Sequence, residues 1–416
     1  MRNNTKKFLV LSLVMMLGML PAASAVRVED RAADLRTEFT RPEEVADVID
    51  PEEWVTVIVE LEGETTLDVD EFADEFRQDS VGYSADASVA AYRASMVDTQ
   101  NEVQTQIAAM VPEAEFRFHY TNLLNGFAAR VQYKDIAAIE SLDGVLDVYM
   151  TQSYDYSDYW EEDEDTIEYI SLEEYYDLYD GDGIDLDEGY YTDASTFSDQ
   201  GSVDQMHLQD AWDRGYTGAG KVVGVFDSSL RYTHELFSYM DPEIAEEQPG
   251  NYKTKENLLA AIEANESTIN LFDSGWGSWF HQRPAEDTGF SEEVQAEIRN
   301  GGFWYNEKVP FAVDYMDGDL EVWDGDSSSH GTHVSGITAG NPGPKDPSKP
   351  VSMENVNGVL GGAYDAQIMF FKVFSEYDDF GQESDEAVFA ALDDAVTLGV
   401  NAFNLSLGIP NGFTTM

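Results

Sequence analysis

The chain has 416 residues, 43% of them hydrophobic, and a formal net charge of −59. That length and apolar content are enough for two or three domains with a sizeable core. The acidic excess excludes nucleic acid and anionic membrane surfaces as partners, since phosphates are neutralised by Lys and Arg. With no cysteine in the chain, neither a disulfide nor a thiol nucleophile is available.

Residues 1–25 read as a secretory signal: Arg2, Lys6 and Lys7 form a basic start, Phe8 to Leu20 an apolar run, and Ala23-Ser24-Ala25 a small-residue cleavage site. The apolar run is too short to span a bilayer, and no later segment is apolar enough, so no membrane insertion is expected after signal removal. The expected location is secreted or in the cell envelope. Residues 26–50 are charged, with little apolar periodicity, and read as a loose lead-in.

Residues 51–150 carry an ordered pattern. WVTVIVEL (54–61) is a predicted strand and ASVAAYRASMVDTQNEVQTQIAAM (87–110) a predicted helix rich in strong helix formers. EFRFHY (115–120) and GFAARVQ (126–132) alternate as strands about the turn TNLLN, YKDIAAIESL (133–142) suits a short helix, and VLDVYM (145–150) a last strand. The order β-α-β-β-α-β predicts a small α+β domain of ferredoxin-like arrangement.

Residues 151–202 differ in kind. Between 151 and 200 stand eighteen Asp or Glu, no Lys or Arg, and many Tyr, a self-repelling composition that reads as an acidic linker. DGDGIDLDEG (180–189) leaves calcium open as a ligand, but it lacks the alternating acids and the glycine of an EF-hand loop, and the solvated linker is the stronger reading.

Order returns at Val203. QDAWDRGYTGAGKVVGVFDSSL (209–230) reads as a short helix, a glycine-rich turn and an apolar strand ending on Asp227; a continuous apolar strand fits a parallel sheet buried on both faces. Residues 231–310 are expected to be a long, irregular insertion with charged helical pieces. Beyond SSSHGTHVSGITAG (327–340) come a predicted strand (366–374), helix (383–399) and strand (400–408), the signature of a parallel crossover.

VVGVFDSS around Asp227 and HGTHVSGI around His330 resemble the catalytic Asp and His segments of the subtilisin-like serine proteases, in the family's chain order. NLSLG (404–408) is similar to the family's substrate-pairing strand, which implies a binding role for Ser406, Leu407 and Gly408. Residues 51–150, with NGFAARV (125–131), resemble the family's inhibitory propeptide. The insertion after Asp227, VPFAVDYMDGD (309–319) and GGAYDAQIMFFKVFSE (361–376) resemble the lactocepin and C5a-peptidase branch of cell-envelope proteases.

The resemblance implies an α/β class: an incomplete subtilisin-like parallel-sheet catalytic domain over residues 203–416, preceded by the ferredoxin-like propeptide domain over 51–150. The implied activity is a secreted serine endopeptidase precursor acting on protein or peptide substrates and inhibited by its own propeptide. No cofactor is required and no metal site is proposed. In that chemistry His330 takes the proton of a serine hydroxyl, a poor nucleophile at neutral pH, while Asp227 fixes its tautomer.

Ser229 departs from the family, which has glycine there; a backbone reserved for glycine would misplace the Asp227 carboxylate. The family's G-T-S-M-A-like serine segment and its oxyanion asparagine are not found in the 416 residues, so the chain by itself is expected to be inert. The competing reading is therefore a non-catalytic pseudoprotease or a propeptide-type inhibitor and chaperone. His333, one turn beyond His330, is expected to be packed and hydrogen-bonded, and His234 structural; His119, His207 and His281 fit no ligand spacing.

Overall fold

The structure, a computed structural model, describes residues 50–151, 153–155, 203, 205–273, 290–323, 329–375 and 382–407. The predicted signal, nearly all of the lead-in, most of the acidic linker with DGDGIDLDEG, His281 and Gly408 lie outside the described residues.

Strands β1 (Trp54–Leu61), β2 (Glu115–Tyr120), β3 (Gly126–Gln132) and β4 (Val145–Met150) form a four-stranded antiparallel sheet in the order β2-β3-β1-β4. The predicted strand ranges hold because each is apolar and alternates. Val57, Val59 and Leu61 share one face with Phe127, Ala129 and Val131 and pack under Val103 and Ile107 of the long helix. Ile58 and Ala128, on the opposite face, join Phe118 and Tyr120 in a different core.

Helices α1 (Asp70–Gln78), α2 (Ser80–Ala85) and α3 (Ala87–Met110) lie between β1 and β2, where only the last was expected. Asp86 starts α3 by accepting from the backbone N–H of Ser88 at 2.7 Å and of Val89 at 3.1 Å. The predicted helix over 133–142 shrinks to a 3₁₀ turn followed by α4 (Ile136–Ile139). Within the expected linker, β5 (Ser153–Asp155) pairs antiparallel with a later strand, β9 (Gln382–Ser384).

After α5 (Leu208–Trp212), β6 (Val222–Asp227) is a central strand of a four-stranded parallel sheet. Residues 231–310 are less irregular than expected: the described parts hold α6 (Pro242–Glu247), α7 (Lys255–Ala264) and α8 (Glu292–Arg299). A reciprocal cap of Thr254 with Asn257 starts α7. The sheet is completed by β7 (Phe311–Asp314), β8 (Gln367–Lys372) and β10 (Ala402–Leu405), in the order β10-β6-β8-β7.

Two helices flank this sheet, α9 (His330–Ala339) and α10 (Asp385–Thr397). Strand periodicity sorts the side chains between them. Val222, Phe226, Met369 and Phe371 join Ala387, Ala391 and Ala395 of α10, the same core that takes Phe118 and Tyr120 from the antiparallel sheet. Val223, Val225, Ile368 and Phe370 face Val334 and Ala339 of α9.

Candidate active site

Asp227 ends β6 in the same alternation as Val223 and Val225, so its side chain emerges on the face covered by α9. His330 is the first residue of α9. The two meet: His330 Nδ1 lies 2.8 Å from Asp227 Oδ1. Asp227 is fully buried, while 57% of the His330 side chain is exposed, so the carboxylate is fixed in the protein and the ring remains reachable from outside. Oδ1 also accepts from the backbone N–H of Ser228 at 2.8 Å, which orients the carboxylate toward the ring.

The helix reaches the strand end because residue 331 is glycine. A Cβ there would stand 2.5 Å from the Ser229 carbonyl oxygen and 3.0 Å from Asp227 Cβ. Thr332 Oγ1 ties the same junction by accepting from the Arg231 backbone N–H at 2.8 Å.

Ser229 does not disturb the pair. Among the described residues the non-glycine positions with positive φ are Phe118 and His207, so Ser229 occupies backbone open to any residue and the family's glycine is dispensable here. His333 is corrected: it is exposed rather than packed, because α9 turns Val334 and Ala339, not residue 333, toward the sheet. His234 is structural, its Nδ1 accepting from the Leu236 backbone N–H at 3.2 Å. His119, on β2, has its Nδ1 2.7 Å from Gln100 Oε1 of α3, and burial lowers its pKa to about 4.

The ends of β6, β8 and β7 form a row of charge that sequence reading missed. Asp227 is registered with Lys372, and Lys372 with Asp314. The fully buried Lys372 Nζ donates to Asp314 and lies 3.5 Å from Asp317, whose Oδ1 accepts from Ser375 Oγ at 2.8 Å. Burial pushes the Asp314 carboxyl well above the ordinary carboxylate range, with Lys372 pulling the other way. The signal was present as Lys372 inside the apolar run IMFFKVF, since a lysine is buried only when paired.

Ser406 is exposed and Leu407 half-buried just past β10, at the sheet edge, where Asn404 Nδ2 donates to Ser406 Oγ at 3.0 Å. Gly408, the third residue expected in the binding strand, is outside the described range. Among the described residues no group of three or more His, Asp or Glu is placed to hold a metal ion. Nor is any helix among them long and apolar enough to cross a membrane.

Residues 218–415 match the model of the Subtilase family. The PI-type proteinase of Lactococcus lactis subsp. cremoris is 21% identical over 336 residues, 80% of this chain and 13% of that protein. The PII-type proteinase of Lacticaseibacillus paracasei is also 21% identical, over 80% of the chain and 13% of its own length. A C5a peptidase of Streptococcus pyogenes serotype M3 is 27% identical over 208 residues, 49% of this chain and 13% of that protein. The chain thus spans about an eighth of the length of these curated relatives. Residues 218–415 thus match the Subtilase family, and the chain resembles the lactocepin and C5a-peptidase branch of the subtilisin-like serine proteases, over 80% of its length for the PI-type proteinase and 49% for the C5a peptidase.

Proposed function

We propose that this chain belongs to a secreted or cell-envelope serine endopeptidase precursor in which Asp227 and His330 are two members of an Asp-His-Ser triad. The observation that carries the reading is the 2.8 Å contact between His330 Nδ1 and Asp227 Oδ1, made from a helix start to a strand end. In this reading the other ring nitrogen takes a serine hydroxyl's proton, while the buried carboxylate stabilises the imidazolium that results. The step needs no cofactor. The substrates are proteins or peptides, paired through the main chain along Ser406, Leu407 and Gly408.

The third member would be a serine in a G-T-S-M-A-like segment, which is not found among the 416 residues; loss of the nucleophile in a subtilisin costs roughly 10⁶ in turnover. With the serine-bearing segment present, the protein should hydrolyse an unstructured protein such as casein. The His330→Ala variant should lose that activity, and retained hydrolysis would remove the triad assignment.

Residues 51–150 are proposed as the propeptide, a ferredoxin-like domain that covers the catalytic part until maturation. The strand order β2-β3-β1-β4 and the burial of Phe118 and Tyr120 in the core shared with α10 support this. The same docking favours the second reading, a non-catalytic inhibitor or pseudoprotease. The casein assay separates the two, since a pseudoprotease would be inactive before any substitution.

A further inference from the structure

We propose that residues 250–273, in the insertion between Asp227 and His330, form a polar docking surface whose partner is this chain's own residues 80–119, and that this surface selects the cognate propeptide. The inference rests on the reading of residues 51–150 as the propeptide. It adds that recognition is carried by the insertion as well as by α10.

The contacts are buried, polar and paired across the two segments. Arg93 Nη1 on α3 donates to Asn265 Oδ1 at 2.7 Å, and Asn265 Nδ2 donates to the Ser84 carbonyl oxygen at 2.8 Å. Ser80 Oγ donates to Asn251 Oδ1 at 3.1 Å, and Lys253 Nζ donates to Ser80 Oγ at 3.2 Å. The backbone joins as well: Val81 N–H donates to the Gly250 carbonyl at 3.1 Å. Each of Arg93, Ser80, Ser84, Asn251, Lys253 and Asn265 is at most 9% exposed, so none of these groups can exchange its partner for water while docked.

A second set of bonds reaches β2. Phe118, at φ 49°, opens a bulge in that strand, so that its own N–H donates to Asp273 Oδ2 at 2.7 Å and the next N–H, of His119, to Asn270 Oδ1 at 2.9 Å. Asn270 Nδ2 returns a bond to the His119 carbonyl at 3.1 Å. A positive φ at a phenylalanine is costly and persists only where surrounding contacts enforce it. The insertion therefore reads a shaped edge of the propeptide, not merely an apolar face.

Buried polar pairs discriminate strongly, because a partner lacking one member leaves the other desolvated and unbonded. Asn265 demands a donor where Arg93 stands, and Lys253 demands an acceptor where Ser80 stands; burial lowers Lys253 to about 7, with nearby Asp79 opposing. There is little slack at this junction: a Cβ at Gly399, which leads into β10, would stand 2.4 Å from the Ser80 carbonyl oxygen and 2.6 Å from Lys253 Nζ. A propeptide with other residues at 80 and 93 would meet unpaired groups at this surface.

The test is a double-mutant cycle in the 416-residue chain, read by hydrogen exchange. Arg93→Met and Asn265→Leu should each speed exchange of the α3 and α7 amides by about tenfold or more. The double variant should be no faster than the quicker single. Amides of β6 and β8 serve as the folding control. If Asn265→Leu loses protection there too, the cycle is run on Ser80→Ala and Asn251→Ala. Unchanged exchange in the singles, or strictly additive effects in the double, would overturn the proposal and leave docking to α10 alone. Exchange needs no catalysis, so it is distinct from the propeptide reading, which would fail instead if deleting residues 51–150 from the serine-bearing protein left its activity unaltered at once and after refolding.

Discussion

Gly331 and Ser229 approach so closely that a single methyl group would part them: a Cβ on Gly331 would lie 2.5 Å from the Ser229 carbonyl oxygen, well inside van der Waals contact. That approach lets the first turn of α9 sit on the end of β6, and it sets the His330 ring beside Asp227. Gly331→Ala should therefore push the helix start away while leaving the sheet intact. A displacement near 1 Å at a reacting group costs on the order of 10² in rate. The expected outcome in the serine-bearing protein is a kcat reduced about a hundredfold with KM little changed, measured by steady-state kinetics on a chromogenic peptide.

The two proposed catalytic positions should differ in cost. Removing the histidine of a subtilisin abolishes about 10⁶ of turnover, and removing the aspartate about 10⁴ to 10⁵. His330→Ala and Asp227→Ala should rank in that order. Their double variant should be no worse than His330→Ala alone, because the carboxylate acts through the ring.

His119 gives the folded unit an acid limit. Burial lowers its pKa from 6.5 to about 4, so the folded state holds the ring neutral and the unfolded state protonates first. Its contribution is intact above pH 6.5 and is lost as pH falls toward 4, to a total of about 3 kcal/mol. His119→Gln should flatten the decline of Tm between pH 6.5 and 4, as followed by circular dichroism.

Asp394 works in the opposite direction. It is fully buried and accepts from the Asn270 and Leu271 backbone N–H groups and from the Tyr315 hydroxyl, and burial raises its pKa to about 8. A raised folded pKa means that stability is greatest below the unfolded value near 3.8 and is lost as pH rises through 8. Asp394→Asn, which resembles the protonated carboxyl, should therefore flatten the fall in Tm between pH 6.5 and 8. A fall as steep as in the wild type would contradict the assignment.

Lys372 is fully buried between Asp314 and Asp317, so removing the lysine leaves two buried carboxyls without that cation. Lys372→Met should cost about 3 to 5 kcal/mol in urea unfolding. Replacing the whole cluster, as Lys372→Met with Asp314→Asn and Asp317→Asn, should recover part of that loss, since the amide oxygen at 314 still accepts from the Met316 and Asp317 backbone N–H groups.

Much of this was legible in the sequence. The strands 54–61, 115–120, 126–132 and 145–150 were predicted to the residue because each alternates or runs apolar between polar turns. Asp227 and His330 were legible through their motifs, and β6 through its unbroken apolar run. Helix α2 was not, since SVGYSA has no helical period and its Ser80, Tyr83 and Ser84 are held by burial against other segments. The insertion looked irregular because its polar residues Asn251, Asn265 and Asn270, ordinary loop formers, find side-chain partners more than a hundred positions away. His333 misled because its one-turn spacing from His330 suggested a packed face that α9 leaves outward.

The most direct measurement is the labelling rate of the serine-bearing protein with a fluorophosphonate, wild type against His330→Ala, at neutral pH. A base at His330 held by Asp227 predicts stoichiometric labelling of the wild type and a rate lower by several orders of magnitude in the variant. Equal rates in the two proteins would mean that His330 does not activate the serine.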